Sequence, residues 1–108
     1  MKTELQVLET ARELIEKGWT RGAEARDEYG NAKGWKSKKA VCFCAIGAIW
    51  KADGKAFGPV GDLAQYTLVS CIRTPGIAQW NDSPRRTKKQ VLAAFDRAIV
   101  KAEKEARQ

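Results

Sequence analysis

Apolar residues recur at steps of three and four along two stretches, one near each end of the chain. In residues 3–17 and residues 87–107 they share one side of a helical wheel: Leu5, Leu8, Ala11, Leu14, Ile15, then Val91, Leu92, Phe95, Ala98, Ile99 and Ala102. This spacing predicts an amphipathic helix in each stretch. Each helix begins at a Thr-x-x-Gln capping box. Ser83-Pro84 is compatible with an earlier first turn of the C-terminal helix. Gly18 follows the first helix, where we expect a positive φ.

The apolar pattern between these helices predicts two more. Residues 40–50 are apolar without interruption, which favours a buried helix capped by Ser37, although Val41-Cys42-Phe43 alone is also typical of a strand. Gly47 is unfavourable inside a helix, so we expect another backbone, from a neighbouring helix, to approach it closely. Asp62 is positioned to cap a further helix that ends near Arg73. Its predicted buried face consists of Leu63, Tyr66, Leu68, Val69 and Ile72.

Residues 20–39 lack helical periodicity and contain three glycines and the turn sequence Tyr29-Gly30-Asn31. A short hairpin with strands near 23–27 and 32–35 fits this pattern. The fold prediction is a single α-rich domain over residues 1–108, mainly α or α+β. It has four main helices, with a hairpin or irregular excursion between the first two.

The composition is that of a soluble globular protein, with 44% hydrophobic and 31% charged residues in 108. No apolar run approaches the roughly 18 residues of a membrane span. Three cysteines, Cys42, Cys44 and Cys71, form an odd number in apolar surroundings, which favours reduced, buried thiols. We therefore expect a cytoplasmic protein.

The residue types argue against most catalytic and metal sites. The chain has no histidine, which removes the usual general base and the usual zinc ligand. Cys44 lies in an apolar run that should raise its thiol pKa. The loop sequence GKAFGPVG matches neither a Walker loop nor a dinucleotide fingerprint. The sequence thus predicts no catalytic residue, no metal and no cofactor.

The formal charge of +7 is concentrated in two segments. Residues 33–39 hold four lysines and no acid, and residues 84–108 hold eight basic and three acidic groups. Clustered basic residues suit phosphate contacts, and a tryptophan among lysines suits base stacking. Trp35 and Trp19 lie outside the most apolar segments, where they suit a protein interface instead. The candidate binding residues are Trp35, Lys36, Lys38, Lys39, Arg86, Lys89 and Arg97.

The stretch Trp80-Asn81-Asp82 is not explained by the helix start that follows it. We expect Trp80 to be buried and Asp82 to accept backbone amide hydrogen bonds or to pair with Arg26. With Arg26, these residues form either a structural corner or the centre of a small hydrolase- or transferase-like site that lacks histidine. That enzyme site would use Asn81, Asp82 and Arg26, with Cys44 as a further candidate.

Several spaced features together resemble an uncharacterised family of small bacterial and phage proteins. They include Gly18-Trp19 and Ala25-Arg26-Asp27. The strongest of them are C-x-x-G-A from Cys44, the W-N-D of residues 80–82 with R-T at 86–87, and F-D-R-A at 95–98. The resemblance implies a shared architecture without an established activity, and a phage association would allow an inhibitor of a host regulatory or defence protein. The predicted function is non-enzymatic binding to a protein partner. The alternatives are nucleic-acid binding through residues 33–39 and the C-terminal helix, and an enzyme site around Asn81 and Asp82.

Overall fold

The computed structural model describes residues 2–107 and confirms the α-rich prediction. The described residues form five helices and three two-residue strands. In chain order these are α1 (Glu4–Lys17), β1 (Ala25–Arg26), β2 (Ala32–Lys33), β3 (Cys42–Phe43), α2 (Ala45–Asp53), α3 (Pro59–Ile72), α4 (Ile77–Asn81) and α5 (Lys88–Ala106). The count of four main helices is short by one, because the five-residue α4 lies in a segment too short for a periodic pattern.

The first and last helices begin where their capping boxes predict. Thr3 accepts a hydrogen bond from the Gln6 amide at 3.2 Å, and Thr87 does the same for Gln90, also at 3.2 Å. Ser83-Pro84 lies in a turn before α5, so the earlier start proposed for that helix is wrong. α1 packs against α2, α3 and α5 and is the central helix of the domain. The buried faces of α1 and α5 consist of Val7, Leu8, Ala11, Ile15, Val91, Ala94, Phe95, Ala98 and Ala102.

The second helix begins later than Ser37, the predicted cap. Residues 42–43 form a strand, and Cys44 is the N-cap, with its Sγ accepting a hydrogen bond from the Gly47 amide at 3.3 Å. Long-range backbone hydrogen bonds hold this stretch extended. The Val41 amide donates to the Arg26 carbonyl at 2.9 Å, and the Cys44 amide donates to the Glu24 carbonyl at 3.0 Å. Of the two readings left open for residues 41–43, the strand is the correct one.

The predicted hairpin is confirmed, with shorter strands. β1 pairs antiparallel with β2 and, on its other side, antiparallel with β3, so the strand order is β2-β1-β3. The sheet packs against α1 and α2 through β3. The turn between β1 and β2 closes with the Gly30 amide donating to the Asp27 carbonyl at 3.0 Å.

Two glycines lie where another chain segment comes too close for a side chain. A Cβ on Gly47 would lie 2.3 Å from the carbonyl oxygen of Glu24, so the predicted close approach is confirmed, but the segment before β1 provides it and not a helix. A Cβ on Gly18 would lie 2.5 Å from the Val41 carbonyl oxygen. Gly18 itself is extended, with φ of −174°, so the positive φ expected there is wrong.

α3 differs most from its prediction. It begins at Pro59 with Gly58 as N-cap, one turn before Asp62. Its buried residues are mostly small (Gly61, Ala64, Thr67 and Leu68), which lets the helix approach its neighbours closely. Leu63 and Tyr66, predicted to be buried, are 50% and 71% exposed.

Candidate functional site

Asn81, at the end of α4, is completely buried and joins three segments of the chain. Its Oδ1 accepts hydrogen bonds from the Trp19 Nε1 at 2.8 Å and from the Ala45 amide at 3.0 Å. Its Nδ2 donates to the Thr20 carbonyl at 3.1 Å and to the Asp82 carboxylate at 3.0 Å. These four bonds use both donors and both acceptor positions of the amide. Asn81 therefore fixes the start of α2 and the segment after α1 to α4.

Asp82 continues this corner on the surface. Its carboxylate accepts the Gly22 amide at 3.0 Å, so the predicted backbone contact is confirmed. Arg26 does not pair with Asp82; its guanidinium donates to the Thr20 hydroxyl and to the carbonyls of Gly30 and Arg21 at 2.9 to 3.1 Å. That alternative is wrong because the carbonyls around the hairpin already surround the guanidinium.

Trp80 is half-buried and not fully buried as predicted. The Arg86 guanidinium lies over its ring at 4.2 Å from the centroid, and the Arg86 Nε donates to the Trp80 carbonyl at 2.9 Å. The Arg86 side chain therefore covers the Trp80 ring. The corner formed by Trp80, Asn81 and Asp82 has the contacts of a structural joint, and those contacts lend no support to an enzyme site.

Cys44 lies close to this corner, and its thiol is also used structurally. Burial raises its pKa, against the smaller lowering effect of the amide hydrogen bonds at the start of α2. The thiol therefore stays protonated near neutral pH, and a protonated thiol is a poor nucleophile. Cys42 and Cys71 are half-buried, and all three cysteines are free.

Neither of the two tryptophans proposed as partner contacts, Trp35 and Trp19, has a fully exposed ring. Trp35 is only 9% exposed, its amide donates to the Glu24 carboxylate at 3.2 Å, and the Lys36 ammonium lies 5.3 Å from its ring centroid. Trp19 is half-buried and its indole N–H is bonded to Asn81. The expectation of an exposed Trp35 is wrong because the ring is covered by its own chain.

The other candidate basic residues are exposed but lie on two parts of the fold. Lys36, Lys38 and Lys39 follow β2, and Lys89 and Arg97 lie along α5. The sheet packs against α1 and α2, whereas α5 packs against α1 and α3. The two basic segments of the sequence are thus carried by different parts of the domain.

The largest exposed apolar side chains near one another in sequence are Phe57, Leu63 and Tyr66, which we call the α3 ridge. Phe57 is 86% exposed and contacts Trp50, with the ring centroids 6.0 Å apart. Leu63 and Tyr66 are one helical turn apart on α3, so they share a face. The sequence prediction placed Leu63 and Tyr66 in the core. Residues 57–72 contain a single charged residue, Asp62, and this scarcity of charge was the available signal for an apolar surface.

The sequence as a whole identifies the family of this chain. A family of unknown function, DUF6197, matches residues 1–101 of this chain. The chain belongs to this family. No curated protein and no solved structure matches it. Membership in DUF6197 confirms the expectation of a family without an established activity.

Two further features of this DUF6197 chain concern metals and membranes. Across residues 2–107, no three side chains of the His, Cys, Asp or Glu type gather closely enough to hold a metal ion. Within the same residues, no helix combines the length and the apolar character needed to cross a bilayer.

Proposed function

We propose that this protein is a non-enzymatic binding domain whose α3 ridge docks onto a partner protein. The observation that carries the proposal is the exposure of Phe57, just before α3, and of Leu63 and Tyr66 on α3, a helix with one charged residue. The centres of protein interfaces are depleted of charge and enriched in aromatic residues. In a chain with 31% charged residues, the α3 ridge has that composition.

The exposure of the ridge also has an energetic argument. Fully burying one large apolar side chain is worth roughly 1.5–3 kcal/mol, so three of them supply several kcal/mol toward association. Part of that is offset by the loss of translational and rotational freedom on binding. The α3 ridge is therefore suited to a modest, reversible contact in which one or two residues dominate.

Charge favours a different protein over a second copy of this chain. A net charge of +7 makes two copies repel each other. Lys55 precedes the ridge and Arg73 follows α3, and both are exposed. The partner that fits is a protein with an apolar patch rimmed by acidic side chains. The phage association that the resemblance allows extends this proposal: the partner is then a cytoplasmic host protein, and the domain is its regulator or inhibitor.

Affinity capture from nuclease-treated lysate of the native cells tests this function, with two matched tyrosine variants. Tyr66→Ala removes a ridge residue, and Tyr29→Ala removes a tyrosine that is 81% exposed on the hairpin. A captured protein should then be purified and titrated by calorimetry. We expect Tyr66→Ala to weaken binding about tenfold or more and Tyr29→Ala to leave it unchanged.

Two results would contradict the proposal. One is capture that Tyr66→Ala and Tyr29→Ala reduce equally. The other is sedimentation of the purified protein as a dimer that Tyr66→Ala dissociates, which would make the ridge a contact between copies. Both tyrosines are exposed, so neither substitution should alter the fold, and circular dichroism checks this.

A further inference from the structure

A cleft of about 610 Å³ lies beside the hairpin, on residues that the α3 ridge does not include. Its lining includes two exposed apolar side chains, Tyr29 and Val41, and three lysines, Lys33, Lys38 and Lys39. The cleft thus combines an aromatic ring with positive charge in one concave surface. Lys38 and Lys39 were candidate binding residues from sequence, whereas Tyr29 and Val41 were not.

The hairpin turn presents the Tyr29 ring to solvent and holds its backbone in place. The Asp27 carboxylate accepts hydrogen bonds from the amides of Tyr29 and Asn31, each at 2.9 Å. These bonds, that from Asn31 foremost, keep the pKa of Asp27 below its ordinary value. The ring itself is 81% exposed. A stacking surface on a fixed turn loses little conformational freedom when a ligand binds.

Two of the three lysines of the cleft, Lys38 and Lys39, are available for an anion. Neither Lys38 nor Lys39 forms an ion pair with any residue in the described part of the chain, and the Lys39 amide donates to the Ser37 hydroxyl at 3.2 Å. Lys33 lies 3.9 Å from the Asp27 carboxylate, whose oxygens already accept amide hydrogen bonds. Glu28 is the other acid in the lining, so the cleft keeps a net positive charge.

We infer that this cleft binds single-stranded nucleic acid, with a base stacked on Tyr29 and phosphates held by Lys38 and Lys39. Proteins that bind single strands combine a basic groove with exposed aromatic rings, because every unpaired base has a face that can stack. An acidic peptide would use the lysines but would gain little from the open face of the ring. A duplex keeps its bases stacked inside and would not use Tyr29 either.

Fluorescence anisotropy with a labelled polythymidine strand of about 12 nucleotides tests the inference at low salt, since single-strand sites span roughly 4–16 nucleotides. We expect Tyr29→Ala to weaken binding about tenfold and Tyr29→Phe, which keeps the ring, to leave it within about twofold. Tyr66→Ala, on the α3 ridge, is the matched control and should bind as the unmodified protein does.

The salt dependence of strand binding distinguishes phosphate contacts made by the cleft lysines from attraction to positive charge elsewhere on the protein. Each phosphate contact to a single strand contributes about −0.7 to the slope of log affinity against log salt, so Lys38→Gln with Lys39→Gln should reduce the slope by about 1.4. Lys89→Gln with Arg97→Gln removes the same charge from α5 and should leave the slope unchanged.

Three results with the labelled strand would overturn the inference. They are no binding to the strand at low salt, equal losses from the α5 and cleft lysine variants, and binding that Tyr29→Ala does not weaken. An oligoglutamate peptide that competes as well as the strand would show an acidic-peptide site instead. These measurements use purified protein and nucleic acid, so their failure leaves the α3 ridge proposal standing, and the reverse is also true.

Discussion

Asn81 makes four hydrogen bonds from a side chain that is completely buried. Replacing it with alanine leaves the Trp19 indole N–H and the Ala45 amide without their acceptor. An unsatisfied buried polar group costs roughly 1–3 kcal/mol, so Asn81→Ala should lower the free energy of unfolding by about 2–5 kcal/mol. Urea denaturation measures this loss.

Asn31 offers a control for that substitution. It is an exposed asparagine in the hairpin turn, and its side chain makes one long contact, 3.4 Å, to Asp27. Asn31→Ala should change the free energy of unfolding by about 0.5 kcal/mol or less. If Asn81→Ala proves as mild, the corner does not hold the fold in the way its hydrogen bonds indicate.

Asp27 makes the stability of the hairpin depend on pH. The amide hydrogen bonds from Asn31 and Tyr29 outweigh the effect of burial and lower its pKa in the folded protein. A carboxyl group with a lowered folded pKa contributes stability above its unfolded pKa of about 4 and loses that contribution as the pH falls through the folded value.

Comparison with Asp27→Asn tests this dependence. The unmodified protein should have the larger free energy of unfolding at neutral pH, and its advantage over Asp27→Asn should shrink as the pH falls below about 4. Denaturation of both proteins at several pH values checks this. An advantage that grows on acidification would show that the charged form of Asp27 is not the stabilising one.

At the residue scale the sequence identified the important corner but not its partners. Trp80-Asn81-Asp82 was singled out because a helix start did not explain it. The groups that bind Asn81 lie at Trp19, Thr20 and Ala45, which are 36 to 62 residues away along the chain. No local pattern encodes such distant pairings.

At the scale of elements, Gly47 shows how closely α2 packs against the segment before β1. A Cβ at this position would lie 2.3 Å from the Glu24 carbonyl oxygen, closer than packed atoms allow. Gly47→Ala gains about 1 kcal/mol of helix propensity but forces the Glu24 backbone to move. We expect a net loss of about 1–3 kcal/mol in unfolding free energy, measured by urea denaturation.

Gly34→Ala is the control, because a Cβ there meets nothing within 4 Å. It should leave the free energy of unfolding within about 0.5 kcal/mol of the unmodified protein. If Gly47→Ala is instead stabilising, the segment before β1 does not pack against α2 as closely as the structure shows.

Elements set by local chemistry were predictable, and those set by tertiary contacts were not. The capping boxes at Thr3 and Thr87 placed α1 and α5 correctly because each box involves residues three apart. The start of α2 depends on backbone bonds to Arg26 and Glu24. The buried face of α3 was misread because its small residues pack inward while its large ones stay in solvent.

At the scale of the whole molecule, the chain carries two different surfaces, the α3 ridge and the hairpin cleft, with different chemistry. The α3 ridge is aromatic and nearly free of charge, and the hairpin cleft is aromatic and basic. Each contains one highly exposed tyrosine, Tyr66 or Tyr29. The net charge and the four tryptophans predicted binding in general, but only the fold shows which aromatic rings remain accessible.

Site-specific photocrosslinking tests the central claim, that the α3 ridge contacts a partner protein, most directly. The photoreactive residue p-benzoylphenylalanine replaces Tyr66 in one variant and Tyr29 in the other, and both are irradiated in native cells before nuclease treatment. The account predicts one dominant protein adduct from position 66, of a mass that is not twice that of this chain, and no such adduct from position 29. Position 66 giving no protein adduct, or the same adducts as position 29, would contradict it.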